Sequence, residues 1–215
     1  MIVTFVVATV GRAEICAEMV ASVDQSISLT SHQVRGILSA PTREDFPRDL
    51  ADHWLTVTGT RGASAQRNVG LDRVDPLTEV VCFLDDDSIV PPNYVDAVVA
   101  EFEKSRPLVL LNSEVVLDGA REGREIELAE ALIAFDEREP RSIGPRSSPT
   151  MYACGASVRW SAARLLRFDE RLPLYSWLED RDYAIRLMRL AKDGSFATSS
   201  SARIVHRGVS SGGRT

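Results

Sequence analysis

Residues 2–9, IVTFVVAT, form a continuous β-branched and aromatic run, the pattern of a strand covered on both faces. Gly11 breaks it. From Glu14 to Ile27 the apolar residues Ile15, Met19, Val20, Val23 and Ile27 fall on one helical face. VRGILSA and WLTVT (54–58) then read as two strands, joined by a charged, proline-bounded connection. ASAQRNVGLDR (63–73) reads as a close-packing helix of small residues, and EVVCFL (79–84) as a fourth strand. Pro91 and Pro92 are expected in the first turn of the next helix, where no N–H donor is needed. Val95, Val98, Val99 and Phe102 continue that helix at core spacing. Such an alternation specifies an α/β fold with a mostly parallel sheet. Ligands of such sheets bind beyond the carboxyl ends of the strands.

The second half is less regular. Residues 107–119, PLVLLNSEVVLDG, read as one or two strands, and 123–139 as an amphipathic helix. PRSIGPRSSP (140–149) has the composition of a loop, and 139–150 is expected to order over a ligand site. YACGASVRW suggests a short strand, SAARLLRF a short helix, and 176–194 a strong helix stopped by Gly194. ARIVHRG is a last strand. Neither an internal repeat nor a domain boundary is visible.

The first apolar strand run of chemical interest ends in LDDDSIVPP. Alternation along a strand would point Asp85 and Asp87 one way and Asp86 the other. Two carboxylates at a strand end suit a hard divalent cation, whose shell is completed by waters and phosphate oxygens. The competing reading makes Asp87 and Ser88 caps of the helix that begins near Pro91. Capping explains one acid and leaves the others over. A second acidic pair, Glu179 and Asp180, opens a helix in WLEDRDY. Acids are favoured there by the helix dipole alone, and a carboxylate so placed can also take a proton from an attacking hydroxyl. Asp182 and Arg181 read as solvated charges. His206 ends the last strand, where a packed core or rim residue is the ordinary reading. It becomes a candidate nitrogen ligand only if strand order brings it beside the aspartates.

Net charge is −6 with a pI near 5.2, which argues against a nucleic-acid surface. An anionic ligand would need local Arg, backbone N–H groups or a metal. MIVTFVVATV lacks a basic segment and a cleavage site, and no stretch approaches the ~20 apolar residues of a membrane span. Cys16, Cys82 and Cys154 are odd in number and set in apolar contexts, as reduced core residues are. A cytoplasmic protein is expected, and peripheral association with the inner face of the membrane is compatible with that. Oligomeric state is not readable.

TVGR, RGASAQRNVGL, FLDDDSIVPPNY, CGASVRW with FDERL, EDRDYAIRL and the late His occur in one order over nearly the whole chain. That ordered set resembles the family 2 glycosyltransferases of the GT-A fold. The resemblance implies a single Rossmann-like domain over 1–215, with 1–118 binding a nucleotide-sugar and 119–215 the acceptor. Asp87 would hold Mn²⁺ or Mg²⁺ at the diphosphate, with His206 completing the metal site. Asp85 or Asp86 would contact the ribose or the metal's water shell. Arg67 would lie near the nucleotide, Thr9 and Arg12 would line the nucleoside pocket, and Gly155 and Ala156 would leave room for the donor sugar. Asp180 would be the catalytic base and Glu179 a supporting acid. Transfer would invert the anomeric centre, from a UDP-sugar first or a dTDP-rhamnose second, the latter suggested by the tail HRGVSSGGR. The acceptor would be a cell-surface polysaccharide or lipid-linked glycan.

The chain departs from the family pattern after its second strand. An acid that touches the base is often found there, but Ser39, Ala40 and Pro41 stand in that place and Asp45 lies farther on. Two other functions compete. A nucleotidyltransferase would carry a Gly-rich basic signature after the first strand, which TVGRAEICAEM lacks. A binding module without turnover would be expected to have lost Asp87 or Asp180, and both are present. A phosphatase of the haloacid dehalogenase type would need Asp-x-Asp after the first strand, where ATVGR stands.

Overall fold

A computed structural model of the protein describes residues 1–137, 150–172 and 178–210. The expected lid over 139–150 and the tail beyond 210 therefore fall, all but Thr150, outside the described residues. Eight strands form one sheet: β1 (Ile2–Ala8), β2 (Gln33–Ala40), β3 (Trp54–Thr58), β4 (Val80–Asp85), β5 (Ser88–Ile89), β6 (Leu108–Asp118), β7 (Ala156–Arg159) and β8 (Ser195–His206). Among the described residues seven helices accompany them: α1 (Ala13–Leu29), α2 (Ala63–Leu71), α3 (Tyr94–Lys104), α4 (Gly119–Glu122), α5 (Leu128–Glu137), α6 (Trp160–Ala163) and α7 (Leu178–Leu190). A short 3₁₀ turn spans Arg43–Asp45.

The sheet order is β3-β2-β1-β4-β7-β6-β8-β5. Pairings β1–β2, β1–β4, β2–β3 and β6–β8 are parallel, while β7 and β5 run against their neighbours. This is the mixed, mostly parallel α/β sheet that the alternation of elements predicts. One connection shapes the site. Only Asp86 and Asp87 separate β4, in mid-sheet, from β5, at the far edge beside β8. Two residues can bridge that distance only because the sheet curls back on itself, which brings the end of β8 to the end of β4.

Alternation along the strands feeds two cores. Val3, Phe5 and Val7 of β1 join Cys82 and Leu84 of β4 beneath α1 and α3. Val6, Val81 and Phe83 face the other way, against Leu71, Trp160, Tyr183 and Leu187. A third cluster packs α5 against Ile89, Leu117 and Val205. Each large side chain so buried contributes roughly 1.5–3 kcal/mol. Close approach explains one glycine: a Cβ at Gly36 would stand 2.0 Å from the Trp54 ring of the neighbouring strand.

Some expectations are corrected. Pro91 and Pro92 lie before α3, whose N-cap is Asn93, because Pro91 instead supplies the carbonyl of a tight turn to the Tyr94 N–H. The buried seam of α1 is Cys16, Met19, Val20, Ser22, Val23 and Ser26, with Ile15 and Ile27 at its margins. Ser22 and Ser26 belong there because their hydroxyls accept the Val90 and Val95 N–H groups. The helix expected over 123–139 starts only at Leu128, since 123–127 serve a turn in which Ile126 N–H meets the Arg207 carbonyl. β6 is one strand with irregular register. All three thiols are free, Cys16 and Cys82 buried. Among the described residues no helix is long and apolar enough to cross a membrane.

Candidate active site

The β1–β4 register sets Ala8 opposite Asp85, so Thr9 comes to lie beside Asp86. Its hydroxyl donates to Asp86 Oδ2 at 2.7 Å. Arg12, at the N-cap of α1, donates from Nε to the same oxygen at 3.2 Å and from Nη2 to Oδ1. Both Asp86 oxygens are therefore engaged by protein, and the side chain is buried. Burial pushes its pKa up to about 6 despite Arg12. Arg12 also donates to the Val209 carbonyl at 2.8 Å and lies 3.8 Å from Asp87. Thr9 and Arg12 thus turn their polar groups to the aspartate turn.

β4 ends at Asp85, so Asp86 and Asp87 lie in a turn. Asp85 and Asp87 nonetheless converge, and the other participant is His206. β5–β8 pairing sets His206 opposite Ser88, next to Asp87, and its Nε2 lies 3.5 Å from Asp87 Oδ1 and 3.8 Å from Asp85 Oδ2. Ligand atoms of the three residues lie within 4.8 Å of one another. Adjacent donors around a hard divalent ion at ~2.1 Å stand roughly 3 Å apart, so the set needs little contraction to hold one. Neither Asp87 nor Ser88 caps α3. Asp87 Oδ2 accepts the Val209 N–H at 2.9 Å and the Ser88 hydroxyl donates to the Cys154 carbonyl. Burial would raise the Asp87 pKa, but the His206 hydrogen bond and charge, with Arg12 and Val209, hold it below the usual value. For His206, burial would lower the pKa. Asp118 and Asp87 outweigh it and raise it to about 10.

Arg67, on α2, joins this cluster to the second acidic pair. It is buried, donates to Asp85 Oδ1 at 2.8 Å and to Glu179 Oε1 at 2.6 Å, and lies 3.7 Å from Asp180 Oδ1. Its guanidinium stands over the Phe168 ring at 5.4 Å. The next residue, Asn68, bonds both the N–H and the carbonyl of Phe168, which ties α2 to the segment that precedes α7. Glu179 and Asp180 occupy the first turn of α7, and their settings differ. Both Glu179 oxygens are held from α2, by Arg67 and by the Ser64 hydroxyl at 3.0 Å. Asp180 gives Oδ2 to the Ala153 N–H at 3.0 Å, while Oδ1 has no hydrogen-bond partner among the described residues. Burial raises the Asp180 pKa to about 6, against the pull of Arg67.

Gly155 and Ala156 are buried where β7 begins. A Cβ at Gly155 would meet the Ile204 side chain at 2.6 Å, so any side chain there would have to displace Ile204 of β8. One acid that the sequence reading set aside, and one that it missed, also reach the site. Asp45 folds back so that Oδ1 accepts the Gly11 N–H at 2.6 Å, which places it at the carboxyl end of β1 despite its distance along the chain. Asp118 ends β6 and its Oδ1 accepts from His206 Nδ1 at 2.9 Å. Its signal was present, an acid closing the apolar run EVVLD just as Asp85 closes VVCFLD.

Comparison with known proteins bears on the family and the fold. The profile described as Glycosyl transferase family 2 matches residues 53–167. Among solved structures, a 1–349 fragment of S. aureus TarS is similar over 93% of this chain and 58% of its own, at 14% identity and a TM-score of 0.62. It has also been solved with UDP-GlcNAc. The mannosyltransferase PcManGT from Pyrobaculum calidifontis, in complex with GDP-Man and Mn²⁺, is similar over 95% of this chain and 56% of its own, at 12% identity and a TM-score of 0.61. The chain thus spans a little over half the length of these structures, and at such identities the likeness shows a shared fold. No curated protein matches the chain in sequence.

Proposed function

This chain belongs to glycosyl transferase family 2, and on that premise we propose that it transfers a sugar from a nucleoside diphosphate donor to an acceptor hydroxyl, with metal dependence and inversion at the anomeric carbon. The observation that carries the reading is the convergence of Asp85, Asp87 and His206 from segments over a hundred residues apart in sequence, bridged through Arg67 to Asp180. The donor set of two carboxylates and an imidazole fits Mn²⁺ or Mg²⁺. When bound, such a cation offsets the charge that develops on the departing diphosphate.

The chain's own residues take the remaining tasks. Asp180 is the base: its Oδ1 has no hydrogen-bond partner among the described residues, whereas both Glu179 oxygens are held by α2. Asp180 takes the acceptor's proton as the hydroxyl attacks the anomeric carbon from the face opposite the leaving group. Arg67 bridges Glu179 and Asp85 and so fixes the separation of the two acidic centres. Arg12 and Thr9 fix Asp86, and through it the turn that aims Asp85 and Asp87. In this reading the nucleoside lies over the ends of β1 and β2 near Asp45, the half 1–118 binds the donor and 119–215 the acceptor. UDP-sugars remain the first donors to test, in keeping with the UDP-GlcNAc complex of TarS, followed by GDP-mannose, in keeping with PcManGT, and dTDP-rhamnose. The acceptor we favour is a cell-surface or lipid-linked glycan, on family resemblance.

The test is calorimetric titration of UDP, GDP, dTDP and CDP in Mn²⁺ or Mg²⁺, repeated with EDTA and on Asp87→Ala. Metal-dependent binding of one nucleotide, lost in the variant, supports the donor site. Once a donor is found, the anomeric configuration of the product by NMR decides inversion. If no nucleotide binds, or binding ignores both EDTA and the variant, the reading fails.

A further inference from the structure

We infer that Asp118 is a positioning residue for the metal centre, holding the His206 ring so that Nε2 faces Asp85 and Asp87. The inference rests on the reading of Asp85, Asp87 and His206 as cation ligands. Parallel pairing of β6 with β8 sets Asp118 opposite His206, so the two side chains leave the same face of the sheet. Asp118 Oδ1 lies 2.9 Å from His206 Nδ1, and Oδ2 is turned to Arg121 Nε at 3.2 Å. An imidazole has two nitrogens, and a bond at Nδ1 decides which one is presented elsewhere.

The backbone leaves this arrangement little freedom. A Cβ at Gly119, the residue after Asp118, would meet the Arg207 carbonyl oxygen at 2.1 Å. A Cβ at Gly208, two residues past His206, would meet the Ala120 nitrogen at 2.3 Å, and Gly208 has a positive φ of 70°. The chains that carry Asp118 and His206 therefore touch backbone to backbone. On its other side His206 is fixed by the ladder to Ser88. Asp118 takes no place among the ligands itself, since its near oxygen is bound to the nitrogen that points away from them.

Mn²⁺ affinity, followed by electron paramagnetic resonance without nucleotide, tests this on wild type, Asp118→Ala and Asp118→Asn. The amide oxygen of Asn still accepts the Nδ1–H without carrying charge. Asp118→Ala is expected to bind Mn²⁺ about 10- to 100-fold more weakly, and Asp118→Asn to stay within about threefold of wild type. Alanine binding as tightly as wild type, or asparagine as weak as alanine, overturns the inference. A wild type that binds no Mn²⁺ brings down the cation reading and the inference with it. Should Asp118→Ala fail to fold, ¹⁵N NMR of histidine in wild-type protein with diamagnetic Cd²⁺ decides. Nδ1 protonated and Nε2 shifted by the metal is expected, and the reverse overturns the inference.

Discussion

Glu179 and Asp180 are successive residues on one turn of α7, and what surrounds them sets them apart. Glu179 is taken up by Arg67 and Ser64, while Asp180 keeps one oxygen without a hydrogen bond among the described residues and carries a pKa raised to about 6 by burial against the pull of Arg67. Asp180→Asn should therefore lower kcat by about 10²–10⁴-fold, the usual scale of general-base catalysis, while nucleotide binding persists. Calorimetry beside a transfer assay checks both halves; a variant with normal kcat would remove Asp180 from the chemistry. The same carboxyl predicts a pH profile. A base acts only when deprotonated, and its raised pKa means that protonation persists up to about pH 6. The rate should climb with pH through about 6 and level off above it, and the Asn variant should lose that inflection. A profile flat from pH 5 to 8 would contradict the assignment.

Among the elements, α2 and α7 must hold a fixed register for Arg67 to reach Glu179. That register depends on an aromatic cluster. Phe168 stacks on Tyr183 of α7 with centroids 4.4 Å apart, and both meet Phe83 of β4 edge-on. Asn68 grips the Phe168 backbone from α2. Phe168→Ala should destabilise the protein by about 3–5 kcal/mol, and the loosened α7 should also lower kcat. Phe168→Leu should recover much of the stability. Urea denaturation of the three proteins measures this, and an alanine variant as stable as wild type would show that the cluster does not set the register.

For the molecule as a whole, the ligand site is where the sheet curls upon itself, so cation and nucleotide should stabilise the entire fold. At a free ligand concentration 100-fold above Kd, binding adds about 2.7 kcal/mol, or roughly 5–10 °C in Tm for a domain of this size. Mn²⁺ with the preferred nucleotide should raise Tm by that amount in a thermal scan, and EDTA or Asp87→Ala should abolish the rise; an equal rise in the variant would place the binding elsewhere. The sequence by itself determined the alternation of strands and helices, the two-sided burial of β1, and acids at the ends of β4 and α7, because hydrophobic periodicity and strand termini are local properties. It also carried the order of motifs that marks the family. It did not determine that Asp86 would be consumed by Thr9 and Arg12, that Asp45 would return to Gly11, or that Asp118 would back His206. Those depend on which strands become neighbours. Strand order and register are settled by packing across the whole sheet, and here the curl between β4 and β5 brings together side chains that no local pattern links.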